Sequence, residues 1–245
     1  MMLEAVGVSK AFGGVAAVTG VSFSVEQGEL RSIIGPNGAG KTTLFNLLTG
    51  HIPIDSGRIL FKGRDITNLH PHTIAGLGVG RSFQRISIFP RLTVFENVQV
   101  SALSHGKHSF NLVWPSARLA RRETADILEA VGLAPQADAL AATLPHGDQK
   151  RLEVGIALAL VPELLLLDEP TAGMSPEERV STIELVSRLV RERGLTLLFT
   201  EHDMDIVFSV SHRITVLHQG RVLADGRPAE IRANAEVQKV YLGET

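Results

Sequence analysis

Residues 35 to 43 read Gly35-Pro36-Asn37-Gly38-Ala39-Gly40-Lys41-Thr42-Thr43, and this run constrains the chain more than any other. It fits G-x-x-x-x-G-K-[ST], in which glycines let the backbone curl until several N–H groups point at one anion. Leu30 to Ile34 reads as a short buried strand entering the loop, and Thr42 to Thr49 as a helix stopped by Gly50. A helix N-terminus therefore faces whatever the loop holds, and its dipole favours phosphate. In that setting Lys41 sets a positive charge on the β- and γ-phosphates, and Thr42 offers a hydroxyl to Mg²⁺.

The chain around this loop alternates. Short strands are expected at Ala5 to Val8, Ala16 to Val18, Val21 to Val25 and Arg58 to Phe61, separated by glycine turns. Together they make an antiparallel sheet beside the nucleotide core; Phe12 within it reads by spacing alone as an ordinary sheet aromatic, with stacking on a base as the alternative. His70-Pro71-His72 starts a short helix that Gly76 ends, and Val79 to Phe83 is a core strand leading to Gln84. The two histidines have no third ligand and read as solvated, not metal-binding. From Thr93 to Leu160 the pattern is helical, with segments at Val94 to Leu103 and Ala117 to Val131 and a polar stretch, Ser104 to Ser116, between them. The core then resumes. Glu163 to Asp168 is a continuous apolar strand ending in a carboxylate, the form of a parallel strand covered on both faces. Ser175-Pro176-Glu177-Glu178 carries a capping box, and its helix runs to about Arg193, closed by Gly194. A strand at Leu195 to Thr200, a helix near Met204 to Val210 and a strand at Arg213 to Leu217 follow. Such alternation implies an α/β fold with a mostly parallel sheet.

Composition excludes several classes. The 245 residues are 44% hydrophobic and 20% charged, as in a folded globular chain. Lys plus Arg number 24 against 26 Asp plus Glu, a formal charge of −2, which argues against nucleic acid as a partner. With no cysteine there are no disulfides and no thiolate metal sites. The longest apolar stretch, Val154 to Leu167, is interrupted by Pro162 and Glu163, so no membrane-spanning helix is expected. Met-Met-Leu-Glu has no basic segment before an apolar core, and no signal peptide is expected either.

Two further carboxylates and a histidine belong at the loop's edge of the sheet. Asp168 ends its strand where open α/β sheets place ligands, beside the phosphate loop, and its natural role is to hold Mg²⁺ with Thr42. Glu169 follows it and is placed to polarise an attacking water. His202 follows the next strand and reaches the same edge, where a neutral imidazole can hydrogen-bond a γ-phosphate.

The order GPNGAGKTT, Gln84, Leu144-Pro145-His146-Gly147-Asp148-Gln149, LLLLDEP and Glu201-His202 resembles that of the ABC-transporter ATPase subunits over essentially the whole chain. The resemblance implies a P-loop NTPase, RecA-like core (30–56, 71–90 and 160–230), an antiparallel β subdomain (1–30 and 57–70), a helical subdomain (91–159) and a C-terminal tail (231–245). It implies that ATP and Mg²⁺ are bound, that Phe12 stacks on adenine, that Gln84 senses Mg²⁺ and water, that Glu169 is the catalytic carboxylate, and that His202 contacts the γ-phosphate. Two integral permease subunits, a second ATPase subunit and, indirectly, a periplasmic or extracellular binding protein are the implied partners. The implied location is the cytoplasmic face of the membrane.

The segment that caps the partner's nucleotide in this family is usually Leu-Ser-Gly-Gly-Gln. Here Pro145, His146 and Asp148 replace the serine, the first glycine and the glutamine. Proline offers neither hydroxyl nor N–H, so the expected substitutes are the Gly147 N–H, the dipole of a helix from about Gln149, and His146 as an added donor. LPHGDQ, EPTAGMSPEE, the long connection after Gln84 and the ending VYLGE resemble the Liv-type ATPases of branched-chain and hydrophobic amino acid importers, whose relatives move amides and urea. Lipopolysaccharide-export ATPases are the alternative. A DNA- or ribosome-acting ABC ATPase would bring coiled coils or basic patches. A small-molecule kinase would leave Leu144 to Gln149 unexplained.

Overall fold

The computed structural model describes residues 1–82, 88–105 and 120–242. Gln84, the end of the strand expected to reach Phe83, most of the 104–116 stretch and the last three residues lie outside them. In chain order the elements are β1 (Leu3–Phe12), β2 (Val15–Val25), β3 (Leu30–Ile34), α1 (Lys41–Leu48), β4 (Ser56–Phe61), β5 (Arg64–Asp65), α2 (Pro71–Gly76), β6 (Val79–Arg81), α3 (Val94–His105) and α4 (Arg121–Ala130). Then come α5 (His146–Leu158), β7 (Leu164–Asp168), α6 (Pro176–Arg193), β8 (Thr196–Thr200), α7 (Met204–Val210), β9 (Arg213–His218), β10 (Arg221–Gly226), α8 (Pro228–Ala233) and α9 (Ala235–Leu242).

Two sheets carry these elements. One is antiparallel, in the order β2-β1-β4-β5, and the other is mostly parallel, in the order β10-β9-β3-β8-β7-β6. Every residue of β3, β7 and β8 is buried, as continuous apolar strands covered on both faces must be. One core lies between the antiparallel sheet, α1 and the first face of the parallel sheet, drawing on Leu3, Phe23, Phe45 and Ile59. A second joins the other face to α3, α4, α5 and α6 through Val98, Leu128, Leu152 and Val186. Gly155 of α5 faces Val98, Ile127 and Val131, letting the three helical-subdomain elements approach closely.

The local signals explain most boundaries. The Ser175 hydroxyl accepts from the Glu178 N–H while Glu178 accepts from the Ser175 N–H, completing the capping box, and Gly194 closes α6. One expectation is corrected. The strands expected at 16–18 and 21–25 are one strand, since β2 runs through Gly20 and pairs with β1 across register shifts. The structure adds elements after Leu217. A reversal at Gln219-Gly220 returns β10 antiparallel to β9, followed by α8, with Pro228 in its first turn, and α9, whose first turn is capped by Asn234. β8 lies between β3 and β7, so Asp168 ends a strand one removed from the loop's own.

The added strand β10 anchors a buried charge network. Arg31 of β3 pairs with Glu29 (3.0 Å) and with Asp225 of β10, and its guanidinium also donates to Thr215 (2.8 Å). Burial disfavours the charged form of Asp225, but hydrogen bonds from Thr215 and Arg213 and the charges of Arg31 and Arg213 outweigh it and hold its carboxyl below the usual range. A group with a depressed folded pKa stabilises the fold above its unfolded value and loses that contribution as pH falls through the folded one. Asp225→Asn is therefore expected to cost about 3 kcal/mol near neutral pH. In urea titrations the gap between wild type and variant should shrink as pH falls below about 4; a gap that is independent of pH would remove the carboxylate from this role.

Candidate nucleotide site

β3 delivers the chain to loop 35–40 and α1 carries it away. Gly35 sits so close to Leu217 and Ala39 that a side chain has no room. Gly40, the residue before α1, has φ +100°, and an added Cβ would lie 2.5 Å from the Ala17 carbonyl of β2. The antiparallel sheet thus braces the loop from one side, and the curl depends on glycine at both places. Lys41 is buried, and its ammonium donates to the carbonyls of Gly35 (2.6 Å) and Pro36 (3.2 Å). Burial pushes its pKa down, opposed by the nearby charges of Glu169 and Asp168. A desolvated ammonium gains from a polyanion brought to the loop.

A cleft of 390 Å³ opens here, lined by Asn37 to Thr43, by Val15 and Ala16 of β2 and by Glu169. Gly35 and Pro36 are not among its lining residues. Phe12 is 46% exposed at the end of β1, paired in register with Val15, and the Lys10 ammonium lies 5.6 Å from its ring centre. The ring stands next to the cleft wall rather than in it. Asp168 is fully buried. Its Oδ1 accepts from the Thr200 hydroxyl (2.7 Å), while Oδ2 has no hydrogen-bond partner and faces the Arg81 guanidinium at 3.7 Å. A buried carboxylate oxygen without a donor, with the Thr42 hydroxyl in the cleft wall, suits a hard cation. Among the described residues no three His, Cys, Asp or Glu gather to hold a metal, and Mg²⁺ ordinarily takes one or two protein ligands plus substrate phosphates. His70 and His72 stack with ring centres 5.7 Å apart.

Glu169 adopts φ +52°, a costly conformation for a residue with a side chain. Its N–H donates to Thr200 at both the hydroxyl (3.0 Å) and the carbonyl (3.2 Å). This turn sends its carboxylate to His202, with Oε1 and Nε2 2.7 Å apart. A carboxylate can only accept, so the proton lies on Nε2. Each group was expected at the site separately; the structure joins them. The loops that carry them are also tied, since Glu201 accepts from the Thr171 N–H (2.9 Å) and hydroxyl (2.6 Å).

Comparison with known proteins shows the family. A family model for ABC transporters matches residues 18–172, and one for branched-chain amino acid ATP-binding cassette transporters matches 221–245. The chain is 42% identical over 250 residues to the high-affinity branched-chain amino acid transport ATP-binding protein BraF of Pseudomonas aeruginosa, covering 99% of this chain and 98% of that one. It is equally similar, with the same coverage, to LivG of Escherichia coli K12. The chain belongs to the ABC transporter ATP-binding family. Two crystal structures of ATP-binding cassettes from ABC transporters, one nucleotide-free and one in the ADP conformation, superpose with TM-scores of 0.88 at 33% identity, each covering 99% of both chains. Like other ABC ATPases, the chain binds nucleotide and hydrolyses ATP, and none of its described helices is long and apolar enough to cross a membrane.

The family's capping segment takes a form that the sequence left open. Pro145 is the residue before α5, which begins at His146, three residues earlier than expected. With the helix starting there, the N–H groups of His146, Gly147 and Asp148 have no acceptor among the described residues, while Gln149 donates to Pro145 (3.0 Å). Proline's missing N–H costs nothing one position ahead of a helix. His146 packs on Gly173, where an added Cβ would lie 3.0 Å from its ring. Among the described residues no hydrogen bond or ion pair joins 144–149 to loop 35–43.

Sequence reasoning gave Arg81, Thr200 and Glu201 no role of their own. Arg81 also donates to Thr49 (2.7 Å), and burial lowers its pKa against the pull of Asp168. No motif marks a lone arginine at the end of a three-residue strand. Gly40→Ala should retain the fold by circular dichroism but bind a fluorescent ATP analogue at least about tenfold more weakly, since the strained loop forfeits about 1–3 kcal/mol. Undiminished affinity would show that the curl tolerates a side chain.

Proposed function

We propose that the chain energises import of branched-chain or other hydrophobic amino acids, or of related amides or urea, as the ATPase subunit of a membrane transporter. Two permease subunits, a second ATPase subunit and an extracytoplasmic binding protein complete the assembly, with this chain at the cytoplasmic face. The reading rests on one observation above the rest, full-length similarity to transport ATPases whose names specify branched-chain amino acids.

In this reading the N–H groups of loop 35–43 hold the β- and γ-phosphates, Lys41 leaves the loop carbonyls for the phosphates, and Phe12 stacks on adenine. Thr42, Asp168 and Gln84 would hold Mg²⁺, which would neutralise the charge that develops on the phosphates; Gln84 lies outside the described residues. Glu169 accepts a proton from, or orients, the attacking water. His202 fixes the Glu169 carboxylate through their hydrogen bond and presents its ring edge to the γ-phosphate. Pro145, His146, Gly147 and Asp148 meet the nucleotide of the other protomer, with the open N–H groups of α5 as donors.

Head-to-tail closure then follows from a nucleotide that binds the closed dimer better than the open one. Glu169→Gln should still bind ATP, collect as a closed dimer on size exclusion, and turn over at least about a hundredfold more slowly. Normal turnover in that variant would displace Glu169 from its role. In the reconstituted transporter His146→Ala should lower ATPase activity severalfold while leaving ATP binding to the isolated chain intact. Pull-down of the membrane proteins, with uptake of labelled leucine against labelled urea, discriminates among substrates.

A further inference from the structure

The Glu169–His202 pair is made by two loops that leave neighbouring strands. Asp168 and Thr200 are the last residues of β7 and β8 in register, and beyond them the sheet no longer sets the spacing of the two chains. Glu169 is fixed on one side by Thr200, which accepts its N–H. Its left-handed backbone, φ +52°, persists only where the surroundings over-determine it. A second anchor is therefore required on the far side, where Pro170 leads to Thr171.

Glu201 is that anchor. The residue is 4% exposed, and its partners are three neutral donors. Oε1 accepts the Thr171 N–H (2.9 Å) and hydroxyl (2.6 Å), while Oε2 accepts the N–H of His202 (3.1 Å). Backbone N–H groups only donate, so both oxygens are committed as acceptors. A buried carboxylate is costly unless its oxygens are matched, which holds the side chain and its donors in one geometry. One oxygen thus grips the segment after Glu169 and the other grips the backbone of His202. Arg179 also crosses between the loops, from the Met174 carbonyl (3.0 Å) to Asp203 (3.4 Å). There the paired side chains are 38% and 30% exposed, and an ion pair in water constrains little.

We propose that Glu201 is a positioning residue for hydrolysis: it sets the spacing of the two loops so that Glu169 Oε1 and His202 Nε2 meet at 2.7 Å. The inference rests on the reading of Glu169 and His202 as hydrolytic residues, and Glu201 acts only through them. The demand is for two acceptor oxygens. Glu201→Gln leaves one oxygen and one NH₂, and whichever way the amide turns its NH₂ faces a backbone N–H, so one of the two grips is lost.

Glu201→Gln is compared with wild type in the reconstituted transporter and as the full-length chain. The kcat for ATP hydrolysis should fall at least about tenfold, while affinity of the chain for a fluorescent ATP analogue stays within about twofold. Long-range ¹H–¹⁵N spectra of the imidazoles give a second readout, with the His202 signals identified by their loss in His202→Gln. Well above neutral pH, wild type should carry the His202 proton on Nε2, and Glu201→Gln should show a mixture of tautomers as the pair opens. Thr171→Val removes the hydroxyl donor and keeps the N–H; it should lower kcat about fivefold or more, and Thr171→Ser should stay within about twofold of wild type. Thermal midpoints well above the assay temperature establish that the variants fold, and if Glu201→Gln does not, the same measurements on the two Thr171 variants decide the matter. Unchanged kcat, a wild-type His202 tautomer in the variant, or a loss confined to ATP affinity overturns the proposal. If Glu169→Gln abolishes turnover while Glu201→Gln leaves it intact, the positioning role falls and the hydrolytic reading stands. If Glu169→Gln turns over normally, that reading falls, and the His202 tautomer still decides whether Glu201 sets the pair.

Discussion

A single buried hydroxyl organises the acidic edge of the site. Thr200 ends β8, directly opposite Asp168 of β7, and its Oγ1 both donates to Asp168 and accepts from the Glu169 N–H. Hydrogen bonds to charged groups are worth about 1.5–3 kcal/mol each, and this pair spends that energy on direction. One carboxylate is turned inward with one oxygen satisfied and one open. The next residue is forced into a left-handed backbone that swings its side chain the other way, to His202. Two adjacent acids thereby acquire separate environments, the condition for giving a metal-binding role to one and a proton-handling role to the other.

That arrangement explains why β8 lies between β3 and β7. Had β7 paired directly with β3, Asp168 and Glu169 would crowd Lys41, and His202 would have to arrive from the far side. With β8 interposed, Thr200 reaches sideways to β7 while His202, two residues on, turns over Glu169. Lys41 still feels both carboxylates, which oppose the depression of its pKa by burial. Among the described residues Lys41 makes no contact ion pair, and its ammonium is held by the loop carbonyls of Gly35 and Pro36.

What was legible in the chain followed from short-range physics. The curl at 35–43, the capping box at Ser175 and the apolar runs of β3, β7 and β8 are each set by residues within a few positions of one another. What escaped notice depends on partners far along the chain. Arg81 matters because β6 lies beside β7, and Thr200 because β8 does. Neither neighbour is written in the local sequence. β10 was missed because Arg221 to Gly226 has no fully apolar face; it is held by the Asp225 network instead of by burial. α8 was the avoidable miss, since Pro228 followed by Glu230 is the same kind of start signal that located α6.

The capping segment shows how a departure from pattern is absorbed. Reading Pro145 as a lost contact assumed that the helix began later, near Gln149. Because α5 starts at His146, proline occupies the position where its fixed φ and absent N–H are least costly, and three open N–H groups follow it. A helix N-terminus that satisfies none of these donors among the described residues carries a partial positive charge suited to an anion. In the proposed head-to-tail dimer that anion is the nucleotide held by the second ATPase subunit. His146, resting on Gly173 in the loop that leads to α6, links that interface to the segment following Glu169. In the proposed reading, closure of two subunits and placement of the Glu169 carboxylate are then parts of one packed surface.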